Sequence, residues 1–102
     1  MDRLYNAIGL AMKAGKAQSG AFAAENAIRT GKAKLVLIEA SASPATRDRY
    51  ERMCAARKIP LYPVETVGRA IGRESRIVCA ITDTAFQKMI EGAMPNTDEK
   101  RG

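Results

Sequence analysis

The chain has 102 residues, enough to bury one hydrophobic core and too few for a second independent one. Its 17 Lys+Arg against 11 Asp+Glu give a formal charge of +6, which suits a polyanionic partner or a solvated basic surface, and the scattered basic positions exclude a disordered basic tail. There is no histidine, and the two cysteines, Cys54 and Cys79, lie far apart with no CxxC. That pattern excludes an ordinary zinc set and predicts buried free thiols, with no metal or cofactor.

Leu4, Ala7, Ile8, Ala11 and Met12 recur at helical spacing behind Asp2, predicting a first helix from about Asp2 to Ala14 that Gly15 closes. Lys16-Ala17-Gln18 leaves room for a brief strand at most. Ser19-Gly20 then opens an alanine-rich helix to about Thr30, closed by Gly31. Leu35-Val36-Leu37-Ile38 is a continuous apolar run between polar residues, the pattern of a central strand covered on both faces.

Ser43-Pro44 is a helix-start pair, and the third helix should run to about Arg57 with Tyr50, Met53 and Cys54 inward and Arg47, Asp48, Arg49, Glu51 and Arg52 in water. Two prolines at alternate positions mark Ile59–Val64 as an edge strand or its margin. A short helix from Thr66 to Ile71 is expected before Gly72, then a charged loop, Arg73-Glu74-Ser75-Arg76, leading into a buried strand, Ile77–Ile81. Thr82 or Asp83 can cap a last helix whose Phe86, Met89 and Ile90 face inward up to Gly92.

The alternation of helices and strands predicts an α/β fold: a single-domain three-layer α-β-α sandwich around a small mixed sheet, spanning residues 1–92, with 93–102 as a flexible tail. With no charged-then-apolar leader and no apolar run long enough to cross a bilayer, a cytoplasmic, soluble, reduced protein is expected. A monomer with no membrane contact fits the same reading. No hydroxyl or thiol has a recognisable base partner, so no enzymatic activity is expected.

Taken together, Gly15-Lys16, Ser19-Gly20, Ala27-Ile28-Arg29, Gly31-Lys32-Ala33-Lys34-Leu35-Val36, Ser43-Pro44, Ile59-Pro60 and Gly68-Arg69-Ala70-Ile71-Gly72 resemble the kink-turn RNA-binding ribosomal proteins. The likeness is to the L-seven-Ae and L-thirty-e type and its bacterial YlxQ-like branch, over about residues 2 to 91. It implies an RNA-binding α-β-α sandwich whose partner is a structured RNA, a kink-turn or ribosomal RNA. It also implies contact through the opening of the second helix and the loop before the last core strand, here Ser19 to Asn26 and Arg73 to Ile77.

Archaeal and eukaryotic members begin that helix with Gly, a variable residue, Asn-Glu, two variable residues and Lys. Gly20 matches the glycine, whereas the Asn position holds Phe22, the Glu position Ala23 and the Lys position Asn26. An Asn amide and a Glu carboxylate can satisfy purine edges in a sheared G·A pair; Phe22 and Ala23 offer neither group, and Asn26 lacks the phosphate-neutralising charge. The candidate RNA-binding residues are therefore Lys16, Ser19, Gly20, Phe22, Ala23, Asn26, Arg73, Ser75 and Arg76. Lys13, Lys32 and Lys34 would add longer-range attraction.

Phe22 either stacks on an unpaired base or folds over Ala23 or the 73–76 loop. Arg73 and Arg76 either grip phosphate or pair with Glu74 and Glu65. A second function class stays open: a protein-interaction module on the same scaffold, docking a protein partner through Ala21, Phe22 and Ala23.

Overall fold

The computed structural model describes residues 3–65 and 77–94. In chain order the elements are α1 (Arg3–Lys13), β1 (Ala17–Ser19), α2 (Ala21–Arg29), β2 (Leu35–Glu39), α3 (Pro44–Ala56), β3 (Leu61–Val64), β4 (Val78–Ile81) and α4 (Thr84–Ala93). The short helix expected over 66–71 lies outside the described residues.

Local signals set most helix ends. Ser43 accepts a hydrogen bond from the Thr46 N–H at 3.2 Å and Pro44 occupies the first turn of α3, while Asp83 accepts from the Phe86 N–H at 3.0 Å to cap α4. At the end of α2, Gly31 takes φ +77°, its N–H reaching the Ile28 carbonyl and that of Lys32 the Ala27 carbonyl. This is a Schellman closure. Gly15 closes α1 by the same pattern of bonds. So does Lys58 after α3, at φ 58°, a left-handed conformation that a side chain resists.

The strands form one mixed sheet in the order β1-β4-β2-β3. β4 runs antiparallel to both β1 and β2, and β2 and β3 are parallel, joined through α3. Strand periodicity splits the core into two layers. Leu35 and Leu37 of β2, with Cys79 and Ile81 of β4, pack with Leu4, Ala7, Ile8 and Ala11 of α1 and Ile90 of α4. The alternate residues Val36, Ile38, Val78 and Ala80 pack with Ala24, Ala27 and Ile28 of α2 and with Tyr50 and Cys54 of α3. β2 is thus covered on both faces, as a continuous apolar strand requires, and the chain is a three-layer α-β-α sandwich.

β3 lies at the sheet edge with Pro63 exposed, where a missing N–H breaks no ladder bond. Both cysteines are buried free thiols, and burial pushes Cys54 to about 11 and Cys79 to about 12.

Three expectations need correction. Met89 is 47% exposed: Phe86 and Ile90, four apart, take the inward positions, and Met89 is turned roughly 100° away from Ile90 on the helix. The buried strand begins at Val78, with Ile77 partly exposed just before it. α4 also continues past Gly92 to Ala93, and Met94 packs against the α1–α4 side of the core.

Candidate nucleic-acid interface

β1 is an edge strand of three residues whose pleat decides which side chains meet α2. Ala17 points into the α1–α4 layer, so Gln18 points to the α2 side, opposite Ala80 in the register. Thr82 continues β4's alternation onto that same side. Gln18 and Thr82, with Phe22, Ala23, Asn26 and Lys32, line a groove of about 440 Å³ between α2 and the free edge of the sheet.

The two ends of the groove differ. At one end the Gly20 N–H donates to the Val78 carbonyl at 2.9 Å, and the Glu39 N–H donates to the Ile77 carbonyl at 2.8 Å. The opening of α2 therefore lies beside the start of β4 and the end of β2. Gly20 has φ 91° and ψ 158°, a conformation restricted almost wholly to glycine, and this lets the chain leave β1 and enter a helix at once. No side chain caps α2 and no acid lies in its first turn. The N–H groups of Ala21, Phe22 and Ala23 precede the first possible helical bond, made by Ala24 to Gly20 at 2.9 Å. Phe22 projects from this turn with 84% of its surface exposed.

At the other end the Thr82 N–H and Oγ1 both donate to the Lys16 carbonyl, at 2.9 and 3.2 Å, and the Lys34 N–H donates to the Ile81 carbonyl at 2.7 Å. Lys16, Lys32 and Lys34 are exposed around this end. β1 separates Lys16 from the α2 opening, and its three strand residues span roughly 10 Å.

α2 itself is held rigidly on its far flank. Glu25 receives both guanidinium nitrogens of Arg49, at 2.7 and 2.8 Å, and the Tyr50 hydroxyl at 3.1 Å, with Arg29 at 3.9 Å. Burial first, then the hydrogen bond to Glu25, pushes the Tyr50 hydroxyl up to about 12. The Glu25 fork ties α2 to α3. On the β2 rim, Ser41 donates to Glu39 at 3.1 Å.

The structure thus gathers Phe22, Ala23 and Asn26 on one surface, with Gly20 and Ser19 at its entrance and Lys16 at the opposite end. Arg73, Ser75 and Arg76 lie outside the described residues. Sequence reasoning missed Gln18 and assigned Thr82 only to capping; period-two alternation from Ala17 would have found Gln18 once β1 was placed at an edge. Among the described residues no cluster of His, Cys, Asp or Glu could hold a metal ion, and no helix is long and apolar enough to cross a membrane.

A four-stranded mixed sheet between helical layers, with a glycine-opened α2 beside the start of β4, defines a ribosomal-protein-like α/β fold. The chain belongs to the ribosomal protein L7Ae/L30e/S12e/Gadd45 family, whose model matches residues 2–91. It is 40% identical over 82 residues to the RNA-binding protein YlxQ of Bacillus subtilis (strain 168), covering 78% of this chain and 82% of that protein. Identity to the large ribosomal subunit protein eL30 of Trypanosoma brucei brucei is 33% over 88 residues, covering 81% and 84%. In three dimensions the chain is similar to a Bacillus halodurans C protein of unknown function, with TM-score 0.85, 25% identity and coverage of 91% and 97%. The 15.5kD RNA binding protein of Giardia lamblia shares the fold, with TM-score 0.75, 24% identity and coverage of 89% and 81%.

Proposed function

We propose that this protein binds structured RNA through the opening and groove-facing side of α2, and that its altered helix face weakens or changes kink-turn specificity. The observation that carries this reading is Phe22. An aromatic ring with 84% of its surface exposed stands in the first turn of an uncapped helix, at the position where archaeal and eukaryotic relatives place an asparagine. Such a ring gains little for the fold and offers a stacking platform for an unpaired base.

Around it, Ala23 and Asn26 supply neither the carboxylate nor the ammonium of the family pattern, so hydrogen-bonded reading of a sheared G·A pair is lost. Charge is supplied by Lys16, Lys32 and Lys34 at the far end of the groove, which positions RNA without specifying sequence. Arg73, Ser75 and Arg76 belong to the same proposed surface by the family resemblance.

Binding of a kink-turn RNA and of a straight duplex of equal length, measured at several salt concentrations, tests the proposal. A preference for the bent RNA with a steep salt slope supports specific recognition of structured RNA, and equal, weak affinities for both would sink it. The exposed Ala21–Phe22 surface also favours a protein partner as the second reading. Retention of a specific partner after nuclease treatment, with no RNA affinity, would select that one.

A further inference from the structure

The groove beside α2 has a donor and acceptor inventory of its own. Gln18 and Asn26 present side-chain amides from opposite walls, one from the free edge of the sheet and one from the helix. Both residues are exposed, and neither amide has a partner among the described residues. Phe22 stands at one end of the groove, Lys32 lines it too, and among the described residues no carboxylate does. The volume of about 440 Å³ falls within the range of small-ligand clefts, about 300–1,000 Å³.

From this arrangement we infer that the groove is a seat for a single unpaired nucleotide of the bound RNA. Its base stacks on Phe22, its edge is read by the Gln18 and Asn26 amides, and its phosphate lies towards Lys32. The inference rests on the RNA-binding reading and adds the identity of the base. An amide pairs a donor and an acceptor side by side, which matches the N6 and N7 edge of adenine in a bidentate fashion. Guanine's O6 and N7 need two donors from one group, as an arginine supplies, and among the described residues no arginine lines the groove. Among the described residues no carboxylate lines the groove to repel the phosphate.

The test uses the isotope-labelled full chain, titrated by NMR with hexaadenylate, hexacytidylate and an abasic hexamer of the same length, with a kink-turn RNA as a fourth arm. The inference predicts that hexaadenylate shifts the Gln18 and Asn26 side-chain amide signals and the Phe22 ring together. It also predicts binding about tenfold tighter than to hexacytidylate, and tighter still than to the abasic strand. Gln18→Ala should abolish the adenine preference while leaving the fold intact, since the side chain is exposed. Lys32→Ala should lower affinity for all strands and reduce the salt slope by about one.

Equal affinity for the three hexamers, or shifts that bypass Gln18 and Asn26, overturns the inference. If the kink-turn RNA binds while the groove stays silent, only this inference falls. If no RNA binds at all, the broader RNA-binding reading falls with it.

Discussion

Replacing Phe22 by alanine should separate binding from stability, because the ring is almost wholly in solvent. Full burial of a Phe side chain is worth about 1.5–3 kcal/mol, and roughly a sixth of this one is covered, so the packing lost is about 0.3–0.5 kcal/mol. Alanine is the better helix former by about 0.5 kcal/mol, which offsets most of that. Thermal unfolding of Phe22→Ala should therefore move by less than about 3 °C for a domain of this size. A stacked base, by contrast, is worth about 1–3 kcal/mol, so RNA affinity should fall roughly 5- to 150-fold. Because the substitution removes no charge, the dependence of affinity on salt should keep its slope. Calorimetric melting together with fluorescence-anisotropy titration at three salt concentrations measures all three quantities. A melting point lowered by more than about 5 °C would mean that the ring packs against the fold, and unchanged affinity would refute stacking.

Other consequences follow from the frame that holds α2. Glu25→Ala removes the acceptor of the buried Tyr50 hydroxyl and should cost about 1–3 kcal/mol in urea unfolding; with Tyr50→Phe it should form a non-additive cycle, which additive losses would contradict. Gly20→Ala forces a side chain into φ 91° and ψ 158° and should destabilise the protein by about 1–3 kcal/mol, whereas Lys58→Gly relieves a left-handed residue and should stabilise it by about 1 kcal/mol. Raised values for Cys54, Cys79 and Tyr50 mean that the unfolded chain loses these protons first. Stability from these groups is full at neutral pH and should decline as pH rises from about 9 towards 12, as denaturant midpoints across that range would record. For the same reason both thiols should resist a disulfide-exchange reagent at pH 8 until the protein unfolds.

Features governed by neighbours along the chain are legible in the sequence itself. Ser43-Pro44 and Asp83 mark helix starts by their own side-chain chemistry, Gly15 and Gly31 mark helix ends, and the unbroken Leu35–Ile38 run requires cover on both faces. Features set by strand register are not. That Gln18 and Thr82 share a groove depends on Ala17 pairing with Ile81, far along the chain, and the same pairing carries Lys16 to the end remote from Gly20. Met89 departs from expectation because Phe86, Met89 and Ile90, at i, i+3 and i+4, share one broad helix face by spacing alone, and only the packing of α4 against the core selects Phe86 and Ile90. Lys58 carries no local signal at all: lysine has no preference for positive φ, and the conformation follows from the turn between α3 and β3.

The central claim, a family scaffold with an altered reading face, is tested most directly by restoring that face. The triple variant Phe22→Asn, Ala23→Glu, Asn26→Lys leaves the net charge unchanged, so nonspecific attraction stays constant while the family's hydrogen-bonding groups return. Kink-turn affinity of the triple variant should exceed that of the wild type by at least about tenfold, with duplex affinity unaltered. A wild-type protein that already binds the kink-turn as tightly as the restored variant would contradict the claim.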